Sequence, residues 1–174
     1  MESTVGVGSV FWFELLSVAK PHTIVEGGEA TSFAESQTSR GEQLHTLLYI
    51  EDNPANLKLV EQIIGRHPDI RLLTAVDGNK GIEIARTSQP TVILMDINLP
   101  GISGVQALKI LHEDPVTAHI PIVALSANAM PRDIENGLEA GFFRYLTKPI
   151  KLNEFMDALK VALEFAEKSV TETA

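Results

Sequence analysis

The sequence has no cysteine among its 174 residues, which excludes disulfide bonds, thiolate zinc sites and a cysteine nucleophile. Basic residues are also few, since 14 Lys and Arg stand against 23 Asp and Glu and the formal net charge is −9. A protein that binds nucleic acid needs a basic surface to match the phosphate backbone. Nucleic acid is therefore not an expected partner.

Long apolar runs are missing as well. The longest, residues 10–16, is interrupted by Glu14 and is much shorter than the ~20 residues that a membrane-spanning helix needs. Glu2 stands where a signal peptide would carry basic residues. We therefore expect a cytoplasmic protein with no direct membrane insertion, although its parent protein could be tethered to a membrane sensor.

The composition of the chain changes near residue 43. Residues 21–43 are rich in Glu, Gly, Ser and Thr, and their few apolar side chains cannot offset the entropy lost on ordering, so a flexible linker is predicted. Residues 44–167 have a regular apolar pattern and are long enough for one domain. Residues 1–20 form a separate N-terminal segment, and residues 168–174 are expected to form a tail.

Short apolar runs in the main domain alternate with segments of helical periodicity. Five runs are predicted to be strands: residues 47–50, 70–76, 92–95, 122–125 and 144–146. Asn53 followed by Pro54 is typical of a helix start, with a capping side chain before a proline at the first helical position. Strands that are apolar throughout and alternate with helices indicate an α/β fold, in which a doubly wound parallel sheet is covered on both faces.

Polar residues follow four of the five predicted strands. They are Glu51, Asp52, Asp96, Ser126 and Lys148. Ligands of an open parallel sheet bind beyond the carboxyl ends of its strands, so these side chains are expected to converge. Three neighbouring carboxylates repel one another unless a cation neutralises them, and oxygen ligands favour Mg²⁺. Together with an ammonium and a hydroxyl, the set fits phosphoryl transfer onto an aspartate.

Four sequence blocks resemble the motifs of the response-regulator receiver domain. They are YIEDN at 49–53, LMDINLPG at 94–101, ALSANAM at 124–130 and YLTKP at 145–149. The blocks stand in the family's order, and the resemblance extends over residues 44–167. It implies a flavodoxin-like (βα)₅ fold with strand order 2-1-3-4-5.

The resemblance also implies which residues carry the chemistry. Asp96 matches the phosphoacceptor, which attacks a phosphohistidine on a partner protein. Lys148 matches the lysine that pairs with the phosphoryl group. Asp52 and Asp96 match the carboxylate ligands of the Mg²⁺ site, and the backbone carbonyl of Asn98 is a further expected ligand. Glu51 occupies the first acidic position of this site and is expected to act on the metal mostly through water.

A second group of residues is implied to read the phosphorylation state. Ser126 and Tyr145 match the switch pair, in which the hydroxyl moves toward the phosphoryl group and the aromatic ring follows. Pro149 suggests a cis peptide after Lys148. The fourth helix, fifth strand and fifth helix are the expected output face.

The expected partners are a histidine kinase, a histidine phosphotransfer protein, or both.

Residues 6–15 resemble the last glycine motif and closing strand of a histidine-kinase ATP-binding domain, so residues 1–20 are interpreted as its remnant in a hybrid kinase. The rest of the kinase core is absent from this sequence, and we expect a receiver module with no kinase activity and no output domain. A random aromatic strand or a hydrophobic anchor is the alternative for this segment. A stand-alone regulator that docks its fourth-helix face on a partner is the alternative for the whole.

Two enzyme classes of similar topology fit the residues poorly. A flavin-binding domain needs a phosphate loop after the first strand, where Glu51 and Asp52 would repel phosphate. A haloacid-type phosphohydrolase needs an acidic residue two positions after its nucleophile, and Asn98 cannot act as that general acid.

Overall fold

Residues 2–4, 8–10 and 44–171 are described by the computed structural model of the chain, with side chains from 44 to 169. They belong to two units, Met1–Thr38 and Ser39–Ala174. In the first unit, strand β1 (Glu2–Thr4) pairs antiparallel with strand β2 (Gly8–Val10). Residues 11–20, which include the aromatic run at 11–13, and the predicted linker at 21–43 lie outside the described residues.

The second unit is built on a five-stranded sheet. Its strands are β3 (His45–Ile50), β4 (Ile70–Ala75), β5 (Val92–Asp96), β6 (Ile122–Ser126) and β7 (Arg144–Thr147). All four pairings are parallel and the order is β4-β3-β5-β6-β7. Counted within this unit, the order is 2-1-3-4-5, so the predicted fold class is confirmed. The chain reverses its direction of winding between β3 and β5, which opens a crevice at their carboxyl ends.

Five helices connect and follow the strands. They are α1 (Pro54–Ile64), α2 (Gly78–Ser88), α3 (Gly104–Glu113), α4 (Pro131–Glu139) and α5 (Leu152–Thr171). The Asn53 side chain caps α1 by accepting the backbone N–H of Ala55 at 2.9 Å. Helix α5 runs past residue 167, because no glycine or proline interrupts it, so the predicted tail begins inside a helix. None of the helices in the described part of the chain is long and apolar enough to cross a membrane.

Both faces of the sheet carry an apolar core, because successive side chains of a strand point to opposite faces. On β3, Leu48 and Ile50 pack in one core with residues of α2 and α3, whereas Leu47 and Tyr49 pack in the other with residues of α1 and α5. The same alternation puts Glu51 on the face of Tyr49. A polar residue directly after β3 is therefore carried into the edge of a buried layer.

Gly104 lets helix α3 begin against the end of β5. A β-carbon at this position would overlap the backbone oxygen of Asp96 and stand 2.8 Å from the Cα of Ile97. The backbone N–H of Gly104 donates to the oxygen of Ile97 at 2.9 Å. The loop after Asp96 is thus held tightly to the helix that follows it.

Candidate functional site

Three carboxylates meet at the carboxyl edge of the sheet. Ile50 lies beside Met95 in the β3–β5 pairing, so the ends of these strands are level. Glu51 and Asp52 directly follow β3, and Asp96 is the last residue of β5. Oxygen atoms of the three carboxylates lie within 4.8 Å of one another. The structure therefore brings together the acidic residues that the sequence singled out.

The Lys148 ammonium lies between two of these carboxylates. It donates to Glu51 Oε2 at 2.7 Å and Oε1 at 3.1 Å, and to Asp96 Oδ2 at 2.6 Å. The exposed fractions of the side chains are 0% for Glu51, 5% for Asp96 and 21% for Lys148. Buried carboxylates need such a partner, because unpaired charge is costly away from water. The peptide bond between Lys148 and Pro149 is cis, as predicted.

The ion pairs set the protonation of the site. Burial by itself would raise the pKa of the Glu51 carboxyl, but hydrogen bonds from Lys148, Tyr49 and Asn56 outweigh it and hold the pKa below its usual value. Burial by itself would lower the pKa of the Lys148 ammonium, but its bonds to Asp96 and Glu51 raise the pKa above its usual value. Both Glu51 and Lys148 are therefore charged at neutral pH.

Tyr49 belongs to the same hydrogen-bond network, and the sequence did not single it out. Its side chain is fully buried, and its hydroxyl donates to Glu51 Oε2 at 2.8 Å. Burial and the neighbouring Glu51 carboxylate raise the pKa of this phenol far above its usual value, so it stays a donor. The spacing of two residues within a strand was the available signal, because it puts Tyr49 and Glu51 on one face.

Backbone N–H groups hold the other two polar side chains that end strands. Asp96 Oδ1 accepts the N–H of Asn98 at 2.8 Å, and the buried Ser126 Oγ accepts the N–H of Asn128 at 3.1 Å. In each case the donor is two residues further along the chain, as in Asx and Ser/Thr turns. That the Asn98 carbonyl binds a metal stays a prediction.

The two predicted switch residues are joined through Asn128. Tyr145 is half-buried on β7, and its hydroxyl donates to the backbone oxygen of Asn128 at 3.2 Å. The N–H of the same Asn128 is the donor to Ser126 Oγ. The ring of Tyr145 lies on Gly137 of α4, where a β-carbon would stand 2.7 Å from its Cδ2. Any movement of the segment at Asn128 therefore acts on both side chains.

The acidic cluster has the composition of a magnesium site. Three carboxylates and one ammonium leave two net negative charges, which a divalent cation matches. Oxygens on opposite sides of Mg²⁺ stand about 4.2 Å apart, close to the 4.8 Å within which the carboxylate oxygens lie here. Asp52 is exposed, so a hydrated ion can reach the cluster from solvent. The residues present therefore fit Mg²⁺.

Comparison with known proteins agrees with this geometry. Residues 47–160 match the family model of the response regulator receiver domain. The chain belongs to the response regulator receiver domain family. The match includes every residue of the acidic cluster, together with Ser126, Tyr145 and Lys148.

Two relatives in the receiver family are similar to this chain, one compared by sequence and one by structure. The polar-differentiation response regulator DivK of Brucella anthropi is 34% identical over 115 residues, which cover 66% of this chain and 93% of DivK. The crystal structure of the receiver domain of sensor histidine kinase PA1611 from Pseudomonas aeruginosa PAO1 is 33% identical, with a TM-score of 0.63. The match covers 69% of this chain and 98% of that domain, which has a magnesium ion coordinated in its active site cleft.

A more distant structure shows the fold alone. The signal receiver domain of a Luxo repressor protein from Vibrio parahaemolyticus is 20% identical, with a TM-score of 0.69 and coverage of 75% of this chain and 98% of that chain. With the family established, the chain is a phosphoacceptor receiver domain of two-component signalling, and so a signalling module.

Proposed function

We propose that Asp96 is the residue that accepts the phosphoryl group, with Mg²⁺ held by Glu51, Asp52, Asp96 and the backbone carbonyl of Asn98. The observation that carries the proposal is the Lys148 ammonium, 2.6 Å from Asp96 Oδ2 in a cluster of three carboxylates. A buried nucleophilic carboxylate beside a cation is suited to an incoming phosphoryl group, whose negative charge the cation stabilises. Asp52 leaves the cluster open to solvent and to a partner protein.

The transfer is a displacement at phosphorus. An oxygen of Asp96 forms the new P–O bond while the P–N bond of a phosphohistidine breaks, and the histidine nitrogen keeps the electron pair and takes up a proton. A bound Mg²⁺ would act as a Lewis acid on the phosphoryl oxygens. The Lys148 ammonium then pairs with the negative charge on the phosphoryl group. The Ser126 hydroxyl gives up the hydrogen bond that it accepts from the N–H of Asn128 and donates to the phosphoryl group instead. Tyr145 then responds through Asn128, which completes the switch.

The partner class follows from this chemistry. We propose a histidine kinase or a histidine phosphotransfer protein as donor, and a phosphotransfer protein as the acceptor of phosphate passed on from Asp96. The likeness to the receiver domain of a sensor histidine kinase supports a hybrid-kinase context. In that layout residues 44–167 are the receiver, residues 21–43 the linker and residues 1–20 the end of a kinase ATP-binding domain, all in the cytoplasm. The chain by itself phosphorylates nothing from ATP.

Labelling with a small phosphodonor tests the site. The wild type is expected to gain a hydroxylamine-sensitive acyl phosphate in the presence of Mg²⁺ and none in EDTA. Asp96→Asn removes the nucleophilic charge and is expected to abolish the label. Asp114→Asn is the matched control, because Asp114 is also ion-paired, to Arg86 at 2.7 Å, but lies outside the cluster. Full labelling of Asp96→Asn would refute the assignment of Asp96 as the phosphoacceptor.

A second experiment tests the partner class. Labelled wild type is mixed with a histidine phosphotransfer protein, and loss of label from this chain is followed together with gain of label on the partner. A stand-alone regulator that acts only by docking would keep its label or lose it to water. Transfer to the partner's histidine supports the phosphorelay.

A further inference from the structure

The buried hydroxyl of Tyr49 is a polar group that the proposed phosphoryl transfer does not use. Tyr49 is fully buried in the layer between the sheet and helices α1 and α5, yet its hydroxyl reaches Glu51 Oε2 at 2.8 Å. An apolar residue would fill this place in the core without a polar atom. The hydroxyl therefore acts on the Glu51 carboxylate.

The donors to Glu51 differ in how firmly they are held. Lys148 donates to both carboxylate oxygens, but its ammonium is shared with Asp96 and stands at the end of a long side chain. The backbone N–H of Asn53 donates to Oε1 at 3.3 Å, a long hydrogen bond. Tyr49 donates to Oε2 from a core strand, and its ring is immobilised by packing. Lys148 and Tyr49 both donate to Oε2, and of these two Tyr49 is the one that stays when Lys148 turns to an anion.

Glutamate makes such a donor necessary. Its side chain has one more rotatable bond than aspartate, so its carboxylate reaches more positions and loses more freedom when a metal is bound. A hydrogen bond to one oxygen fixes the plane of the carboxylate and leaves lone pairs on the other oxygen for a ligand. Outer hydrogen bonds of this kind orient the residues that hold metals.

We propose that Tyr49 is a positioning residue of the acidic site, whose hydroxyl holds the Glu51 carboxylate in the orientation that receives the divalent cation. The inference rests on the proposed function, since it assumes that Mg²⁺ binds at Glu51, Asp52 and Asp96. Tyr49 itself touches neither the metal nor the phosphoryl group.

Mg²⁺ affinity measured by calorimetry tests the inference. Tyr49→Phe keeps the ring and removes only the hydroxyl, and we expect it to weaken Mg²⁺ binding about tenfold, the lower end of the range for losing an outer hydrogen bond at a metal site. The control is Thr117→Val, which removes another fully buried hydroxyl, one that donates to the Leu111 backbone oxygen at 2.7 Å. We expect Thr117→Val to lose stability and to keep the wild-type Mg²⁺ affinity.

A double-mutant cycle separates positioning from general destabilisation. If Tyr49 acts through the Glu51 carboxylate, Tyr49→Phe is expected to change Mg²⁺ affinity much less in a Glu51→Gln background than in the wild type. The rise in Tm on adding Mg²⁺ is a second readout and is expected to shrink in Tyr49→Phe. The labelling rate of this variant is expected to fall at limiting Mg²⁺ and to recover at saturating Mg²⁺.

The outcomes distinguish the inference from the proposed function. If the wild type binds Mg²⁺ and is labelled on Asp96 while Tyr49→Phe binds Mg²⁺ equally well, the positioning role is refuted and the function stands. If Tyr49→Phe weakens binding to the same extent with and without Glu51→Gln, the hydroxyl does not act through Glu51 and the inference is again refuted. A wild type that binds no Mg²⁺ would overturn both.

Discussion

Lys148→Met removes the ammonium that holds two buried carboxylates side by side. Glu51 is fully buried and Asp96 is 5% exposed, so the variant leaves two adjacent negative charges with little access to water. Breaking a buried ion pair by removing one partner costs about 3–5 kcal/mol. We expect about 3 kcal/mol in the absence of Mg²⁺, because Lys148 is itself 21% exposed and the hydrogen bonds of Tyr49 to Glu51 and of Asn98 to Asp96 remain.

Urea unfolding followed by circular dichroism measures this loss. In EDTA the free energy of unfolding is expected to fall by that amount, and by less at about pH 5 than at about pH 8, because a carboxyl that loses its cation takes up a proton. Mg²⁺ is expected to restore part of the loss, since a ligand at 100 times its Kd adds about 2.7 kcal/mol to stability.

Lys151→Met is the matched control for this experiment. Lys151 forms an ion pair of 2.8 Å with Glu154, but its side chain is 64% exposed. Exposed pairs contribute little, so the control is expected to change stability by less than about 1 kcal/mol. If Lys148→Met in EDTA is no less stable than Lys151→Met, the ammonium does not compensate the buried carboxylates and the reasoning is wrong.

Three further predictions concern other parts of the receiver unit. Gly104→Ala is expected to cost about 1–3 kcal/mol in urea unfolding, because its β-carbon overlaps the backbone of Asp96 and not a movable side chain; an unchanged midpoint would contradict this. Gly137→Ala is expected to push the Tyr145 ring off α4, visible as changed chemical shifts of that ring in NMR spectra, although alanine favours the helix by up to about 1 kcal/mol. Stability is expected to fall above about pH 10, where Tyr49 ionises in the unfolded chain while burial raises its pKa in the folded one. Tyr49→Phe should lack that part of the fall.

The order of elements could be predicted from the sequence because each depends on local pattern. Mostly apolar runs of three to seven residues marked the five strands, and Asn53 with Pro54 marked the start of α1. The structure has strands at all five runs and begins α1 at Pro54. The strand ends were less certain, since β5 and β6 each include the polar residue that follows the apolar run. Backbone hydrogen bonds between strands form whether or not the side chain is polar, so the apolar pattern does not reveal this last strand residue.

The acidic cluster was predicted only in its membership. The adjacent pair Glu51 and Asp52 is far in the chain from Asp96 and from Lys148, and the expectation that they converge rested on parallel strands sharing one edge. The distances, and the placement of the Lys148 ammonium between Glu51 and Asp96, depend on side-chain packing across the sheet. The bridging of Ser126 and Tyr145 through Asn128 is likewise a tertiary contact.

By itself the sequence determined the class of fold and the residue types of the site, because backbone periodicity and strand-end position are local properties. Only the tertiary structure decided which of those groups are buried and which bonds they make. Tyr49 illustrates the difference: in the sequence it is one apolar-run residue among four, and in the fold its hydroxyl is a hydrogen-bond donor to a buried carboxylate. The hydrogen bond is important because the Tyr49 hydroxyl and the Glu51 carboxylate are removed from water, and this burial exists only once helices α1 and α5 have packed on the sheet.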